Sequence, residues 1–127
     1  MQADEAELNR LSKVIIGCAL TVANTIGSGF LEKIYENALA HELRKAGIPV
    51  AQQRGVVVMY DGAVVGEYAV DLLVAESVVV ELKAAMALNH VHRVQCLNYL
   101  KATGLRMCLL LNFGRSRLEI KRLLWGL

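Results

Sequence analysis

The sequence predicts one α/β domain of three layers, with a mixed sheet flanked by helices. Three observations carry that expectation. Apolar residues recur every three or four positions from Leu8 to Ile26 and again after Gly29. The pattern then changes to runs of branched residues between Val56 and Lys83. A helical period returns before Met107–Phe113, a run apolar on both faces, as a central strand covered on each side would be. A chain of 127 residues has one core to build, so residues 1–127 are read as a single domain.

Each element has its own start and stop signals. Leu8, Leu11, Ile15, Cys18, Val22 and Ile26 form the stripe of an amphipathic helix that starts near Asp4 and ends at Gly27-Ser28-Gly29. A second helix is expected from about Phe30 to Ala46, closed by Gly47 and Pro49, with Leu31, Ile34, Tyr35, Ala38 and Leu39 as its apolar face. Val56–Tyr60 and Val64–Val74 flank Asp61-Gly62, a hairpin signal. After a break at Ala75-Glu76-Ser77, Val78–Lys83 reads as a third strand. Leu88 to Thr103 reads as a helix ended by Gly104. Met107–Phe113 is the central strand, and Leu118–Leu123 a last short strand or helical turn with Arg117, Lys121 and Arg122 exposed.

Composition excludes several classes. With 55% hydrophobic and 20% charged residues the chain is not disordered, and a single proline leaves no flexible linker. Its formal net charge of +2 favours no class of partner. Cys18, Cys96 and Cys108 are odd in number, far apart and without a C-x-x-C spacing, so reduced thiols and a cytoplasmic location are expected. The acidic start, Met1 to Glu7, does not read as a secretory or mitochondrial leader. Val14 to Leu31 is uncharged and as long as a short membrane span. Its Gly17, Asn24, Gly27, Ser28 and Gly29 fit a buried helix and glycine turn better, and no membrane association is expected.

Polar residues inside apolar strands are the informative exceptions. Asp71 interrupts Tyr68–Val74, and Glu81 and Lys83, two apart, share one face of the next strand. The interval from Asp71 to Glu81 allows a strand, a tight turn and a return, so the two carboxylates can lie side by side. Two such carboxylates repel unless a proton or a cation lies between them, and a hard ion such as Mg²⁺ or Mn²⁺ suits oxygen ligands. The competing explanation is a buried ion pair of Lys83 with Asp71 or Glu81 that only holds the sheet together.

Further motifs bring a resemblance into view. Asp71 with Glu81-Leu82-Lys83 resembles the D…(D/E)-x-K signature of the PD-(D/E)-x-K nuclease superfamily, whose fold is restriction-endonuclease-like. Gly29-Phe30-Leu31-Glu32-Lys33-Ile34-Tyr35 resembles the motif of the GxxExxY protein family, a prokaryotic branch of that superfamily. The stretch from His92 to Leu100 resembles the later Q-x-x-x-Y helix motif through Gln95 and Tyr99, and Leu110–Gly114 the strand that follows. The likeness runs from about Val14 to Arg122.

The resemblance implies a divalent-metal-dependent nuclease, with DNA preferred to RNA as substrate. Asp71, Glu81 and the Leu82 carbonyl would ligate Mg²⁺ or Mn²⁺, with Glu32 adding a carboxylate directly or through water. The competing explanation of Glu32 is a first-turn glutamate favoured by the helix dipole. Tyr35 could hydrogen-bond Glu32 or a phosphate, or serve as a core aromatic. Lys83 is expected to orient the attacking water and to stabilise charge in the transition state. His92, Gln95 and Tyr99 share one helix face that could hold water or grip a phosphate, although His92 also reads as a half-exposed helix histidine. His90 and His92 do not converge as a metal pair.

Charge supports a nucleic-acid partner only weakly. Setting aside the three proposed acidic ligands and Lys83 leaves 13 basic against 9 acidic residues. Arg115, Arg117, Lys121 and Arg122 could form a phosphate-contact edge, or a solvated surface. No separate DNA-reading module is present, so sequence-specific recognition is not expected. The alternative function is a catalytically silent nucleic-acid-binding or scaffold protein that keeps the fold. A homodimer is expected from the high apolar content and the Leu123-Leu124-Trp125 ending.

Overall fold

A computed structural model describes residues 3–126. Met1 and Gln2 of the acidic start, and Leu127, lie outside the described residues. The elements are α1 (Glu5–Ile26), α2 (Glu32–Lys45), β1 (Val50–Tyr60), β2 (Ala63–Val74), β3 (Val78–Lys83), α3 (His90–Thr103), β4 (Met107–Asn112) and β5 (Glu119–Leu124). They build the expected α/β architecture, a five-stranded mixed sheet in the order β1-β2-β3-β4-β5 with helices on both faces. Only β3 and β4 pair in parallel, and α3 makes the crossover between them.

Local chemistry explains the helix ends. Asp4 caps α1 by accepting the Glu7 N–H at 2.9 Å, and Glu5 and Glu7 complement the positive end of the helix dipole. Leu8, Leu11, Ile15 and Val22 are buried as the spacing predicts, joined by Ala19. The second helix starts two residues later than expected and is turned on its axis. Tyr35 and Leu39 are buried as expected, joined by Glu36, Ala40 and Leu43, whereas Leu31 and Ile34 face solvent. The apolar run Phe30–Leu31 misleads here because it belongs to the entry turn. Asn89 caps α3 by accepting the His92 N–H, and Gly104, in the left-handed region at φ 75, ends it.

The hairpin forms as read, and β1 starts earlier, at Val50. Its turn, Asp61-Gly62, takes positive φ at both residues, as a two-residue hairpin requires. The last element settles as a strand, antiparallel to β4.

Two apolar layers hold the sheet. Leu11, Ile15, Leu39, Leu72, Val80 and Leu109 represent the layer under α1 and α2. Val70, Val79, Cys96, Leu100, Cys108 and Leu110 represent the layer under α3. Every residue of β4 is buried, as a central strand demands. Cys96 and Cys108, distant in sequence, meet in the second layer, where burial and the hydrogen bond that its thiol donates to Cys96 push Cys108 up.

The chain leaving β3 is held by the end of β4. Asn112, fully buried, accepts the Ala85 N–H at 2.9 Å and donates to the Ala85 carbonyl at 3.0 Å. Phe113 donates its N–H to the Lys83 carbonyl at 2.8 Å. Gly114 packs so closely that a Cβ there would collide with the backbone of Ala84 and Ala85. Gly114→Ala is therefore expected to lower stability by about 1–3 kcal/mol, the usual cost of overpacking. Urea denaturation measures it, and an unchanged midpoint would show that the Ala84–Ala85 segment yields freely.

Candidate active site

The strands β2 and β3 pair at Val74↔Val78, Leu73↔Val79 and Leu72↔Val80, and there the ladder stops. The next opposed residues are Asp71 and Glu81, and their side chains replace the missing backbone bonds. The Asp71 N–H donates to Glu81 Oε1 at 2.9 Å, and the Leu82 N–H donates to Asp71 Oδ2 at 2.9 Å. The strands fork at this point with two carboxylates in the opening. Alternation along β2 also slips here, because Val70 packs under α3 while Leu72, two residues on, packs under α1 and α2.

Glu81 is only 3% exposed, and among the described residues no lysine or arginine forms an ion pair with it or with Asp71. Burial pushes its carboxyl up to about 9, and the neighbouring Asp71 charge adds to the rise. The Asp71 N–H and the Lys83 ammonium oppose it without cancelling it. Lys83 instead reaches Gln95 on α3, with Nζ 3.4 Å from Gln95 Oε1. The ion-pair explanation of these residues therefore does not describe this site. Tyr99 lies buried against Tyr68, ring centroids 4.5 Å apart. Burial and then the Glu81 and Asp71 charges raise its hydroxyl pKa.

The remaining residues fall around this fork. Glu32, on the first turn of α2, accepts the Ala84 N–H at 3.4 Å, beside an open depression of about 610 Å³ that Gly29, Phe30 and Gly114 also line. It is not gathered with Asp71 and Glu81. Among the described residues no three His, Cys, Asp or Glu side chains lie close enough to hold one ion. Tyr35 is fully buried, stacked on Phe113 at 4.6 Å, and its hydroxyl donates to the Gly27 carbonyl at 2.6 Å while accepting the Phe30 N–H. That hydroxyl meets neither Glu32 nor the surface, so the structure gives Tyr35 the core role. His92 is the third residue of α3, and its Nδ1 accepts the Asn89 N–H at 3.4 Å, a capping contact. Arg115 and Arg117 stand exposed between β4 and β5, and Lys121 and Arg122 are exposed on β5, with Arg122 held by Asn9 at 2.6 Å.

Two residues near the fork escaped the sequence reading. Glu36 is 3% exposed on α2, and Gln53 on β1 donates both to it and to Asp71. A buried glutamate one position past Tyr35 carries no distinguishing spacing, and Gln53 matters only through a fold that brings β1 over α2. Burial alone would raise the Glu36 carboxyl, but hydrogen bonds from Gln52, Lys33 and Gln53 outweigh it and lower its pKa.

The fork fits a divalent cation. Its donors are hard oxygens, and Glu81 Oε2 accepts no hydrogen bond among the described residues. The Leu82 N–H points to the β2 side, so in an extended strand the Leu82 carbonyl points there too. Without a cation the site costs stability. The folded carboxyl of Glu81 titrates near 9 against 4.5 for the ordinary group, so the folded state binds the extra proton between those values. Stability is thus full below about pH 4.5 and falls as pH rises towards 9. In chelator-treated protein at pH 8, Glu81→Gln is expected to gain at least about 1.4 kcal/mol, one pKa unit's worth. Thermal unfolding should show that gain fade towards pH 4.5, and a gain independent of pH would refute the assignment.

Known proteins place this architecture. A family model described as PD-(D/E)XK nuclease superfamily matches residues 9–123. The crystal structure of SSO0001 is similar in fold, with a TM-score of 0.56 at 16% sequence identity over 75% of this chain. This chain spans 50% of that one. No curated protein matches the sequence. With a family match over nearly all of its length and the fork of Asp71 and Glu81 at the centre of the fold, the chain belongs to the PD-(D/E)XK nuclease superfamily.

Proposed function

We propose that this protein hydrolyses phosphodiester bonds of nucleic acid, DNA ahead of RNA, with Mg²⁺ or Mn²⁺ as cofactor. The observation that carries the reading is the pair of carboxylates at the β2–β3 fork, one of them buried and pushed up to about 9 by burial and its neighbour. Membership of a nuclease superfamily supports it. Asp71, Glu81 and the Leu82 carbonyl hold the ion, and Glu32 approaches it through water from the end of β3. Bound there, a divalent ion polarises the phosphate and acidifies water. Lys83, steadied by Gln95, orients the attacking water and offsets charge building on the phosphoryl oxygens. Arg115 and Arg117, on the loop beyond β4, meet the backbone phosphates. Tyr99 backs the pair from beneath α3, and His92 sets the start of that helix. Gly29, Glu32 and Tyr35 support a finer place in the GxxExxY family.

Isothermal titration with Mn²⁺ tests the site. Wild type is expected to bind and Asp71→Ala to lose most of the heat, and equal binding by both would sink the ligand assignment. Lys83→Ala should bind Mn²⁺ normally and lose DNA cleavage by about 10²-fold or more. Unchanged turnover removes Lys83 from the chemistry. A wild type that binds Mn²⁺ and nucleic acid yet cuts neither DNA nor RNA supports the silent scaffold instead.

The protein is further proposed to work as a homodimer in the cytoplasm. Leu124 and Trp125, each 43% exposed, support self-association, although Trp125 also takes the Lys101 ammonium over its ring at 5.3 Å. Among the described residues no helix is long and apolar enough to cross a membrane. Light scattering should give twice 13.9 kDa, and a monomer at micromolar concentration refutes the dimer.

A further inference from the structure

We propose that Gln53 is a positioning residue for the Asp71 carboxylate, braced from behind by Glu36. The inference rests on the reading of Asp71 as a metal ligand and adds residues that the superfamily signature does not contain. Gln53 Nε2 lies 2.6 Å from Glu36 Oε1 and 3.3 Å from Asp71 Oδ1. One amide nitrogen carries two hydrogens, so a single neutral group can donate to both carboxylates. The reverse orientation of the amide would set its oxygen between two anions, which fixes the nitrogen there. Glu36 is itself anchored, because its Oε2 accepts from Lys33 at 2.9 Å and from Gln52 at 2.7 Å. The line Lys33–Glu36–Gln53–Asp71 therefore joins α2 to the fork.

The backbone indicates that this placement is enforced. Gln53 has φ 52, a left-handed conformation in the middle of a strand that an unbranched L residue rarely adopts. The β1–β2 ladder keeps its register across this point, with Gln52 opposite Leu72 and Arg54 opposite Val70, and shifts only further on, between Val58 and Met59. The left-handed backbone within β1 is thus confined to the residue that faces Asp71. Asp71 Oδ2 is fixed by the Leu82 N–H, and Gln53 fixes Oδ1, so the carboxylate is held at both oxygens. Holding a ligand's orientation in this way commonly changes metal affinity by 10- to 100-fold.

The test uses Gln53→Met, which keeps length and shape but removes the amide, Glu36→Leu, and the double variant. Mn²⁺ affinity by titration calorimetry is expected to fall about 10-fold in Gln53→Met. The double variant should bind no more weakly than Gln53→Met, since Glu36 acts through Gln53. A second readout needs no metal. Asp71 caps the Leu82 N–H, so hydrogen exchange at that amide, followed by nuclear magnetic resonance, should quicken about 10-fold in Gln53→Met. The Val80 amide, inside the ladder, should not change. Should Gln53→Met fail to fold, Gln53→Asn tolerates the left-handed backbone, falls one carbon short and is expected to show the same two effects. A lower melting temperature with unchanged Mn²⁺ affinity and unchanged Leu82 exchange overturns the proposal, leaving Gln53 as a strut between β1 and α2. A wild type that binds no Mn²⁺ defeats the metal reading alone, and Leu82 exchange then decides the positioning role.

Discussion

The crossed hydrogen bonds that tie Asp71 to Glu81 and to Leu82 are the constraint around which the rest of the site is arranged. Each residue's carboxylate takes a backbone N–H from the opposite strand, from Asp71 in one direction and from Leu82 in the other. These bonds let β2 and β3 part without leaving either N–H orphaned in a buried place. They also bring two acids into contact range in a setting that disfavours charge. A fork closed by backbone pairing would be more stable and chemically inert. Opening it with carboxylates sacrifices ladder bonds and leaves two acids facing one gap.

Neighbouring elements keep that opening fixed. On the β4 side, β3 is paired along its whole length, from Val78↔Met107 to Lys83↔Asn112. Lys83 can therefore present its side chain towards α3 while its carbonyl takes the Phe113 N–H. Asn112 and Gly114 then lock the chain leaving β3, so Ala84 stays within reach of Glu32. Asn112 is fully buried and every polar atom of its side chain is engaged, a costly arrangement unless the geometry it fixes is useful. The residues that looked like a chemical motif in sequence thus divide into those at the fork and those that hold it.

Much of this was readable from the chain because its signals are local. Asp4, Asp61-Gly62 and Gly104 mark ends by backbone chemistry, and the full burial of β4 follows from its unbroken apolar run. The pairing of Asp71 with Glu81 was also readable, since both interrupt apolar strands separated by one turn. The face of α2 was readable only in part, because Tyr35 and Leu39 are buried as the period predicts, while Leu31 and Ile34 satisfy the same period yet packing chooses Leu43 in their place. Tyr35 shows the same limit. Its spacing from Glu32 suits a hydrogen bond, but the close Gly27 carbonyl and the Phe113 ring draw it inward. Glu36 and Gln53 lie beyond any periodic argument, for their meaning depends on one left-handed residue in β1 and on a contact between elements.

The fork also implies an exchange of ions. A carboxyl pushed up to about 9 by burial and its neighbour holds its proton far more tightly than an ordinary glutamate, and Glu81 Oε2 accepts no hydrogen bond among the described residues. Asp71 faces it with Oδ2 bonded to Leu82 and Oδ1 to Gln53. On the proposed reading a cation entering the fork displaces this proton, so binding and deprotonation are one event. The site then discriminates by charge density. A divalent ion recovers in attraction to two carboxylates what is lost by ionising Glu81, whereas a monovalent ion brings half the charge to the same cost. Lys83 adds to that selection by standing aside. Its bond to Gln95 holds the ammonium towards α3 and out of the place between the two acids.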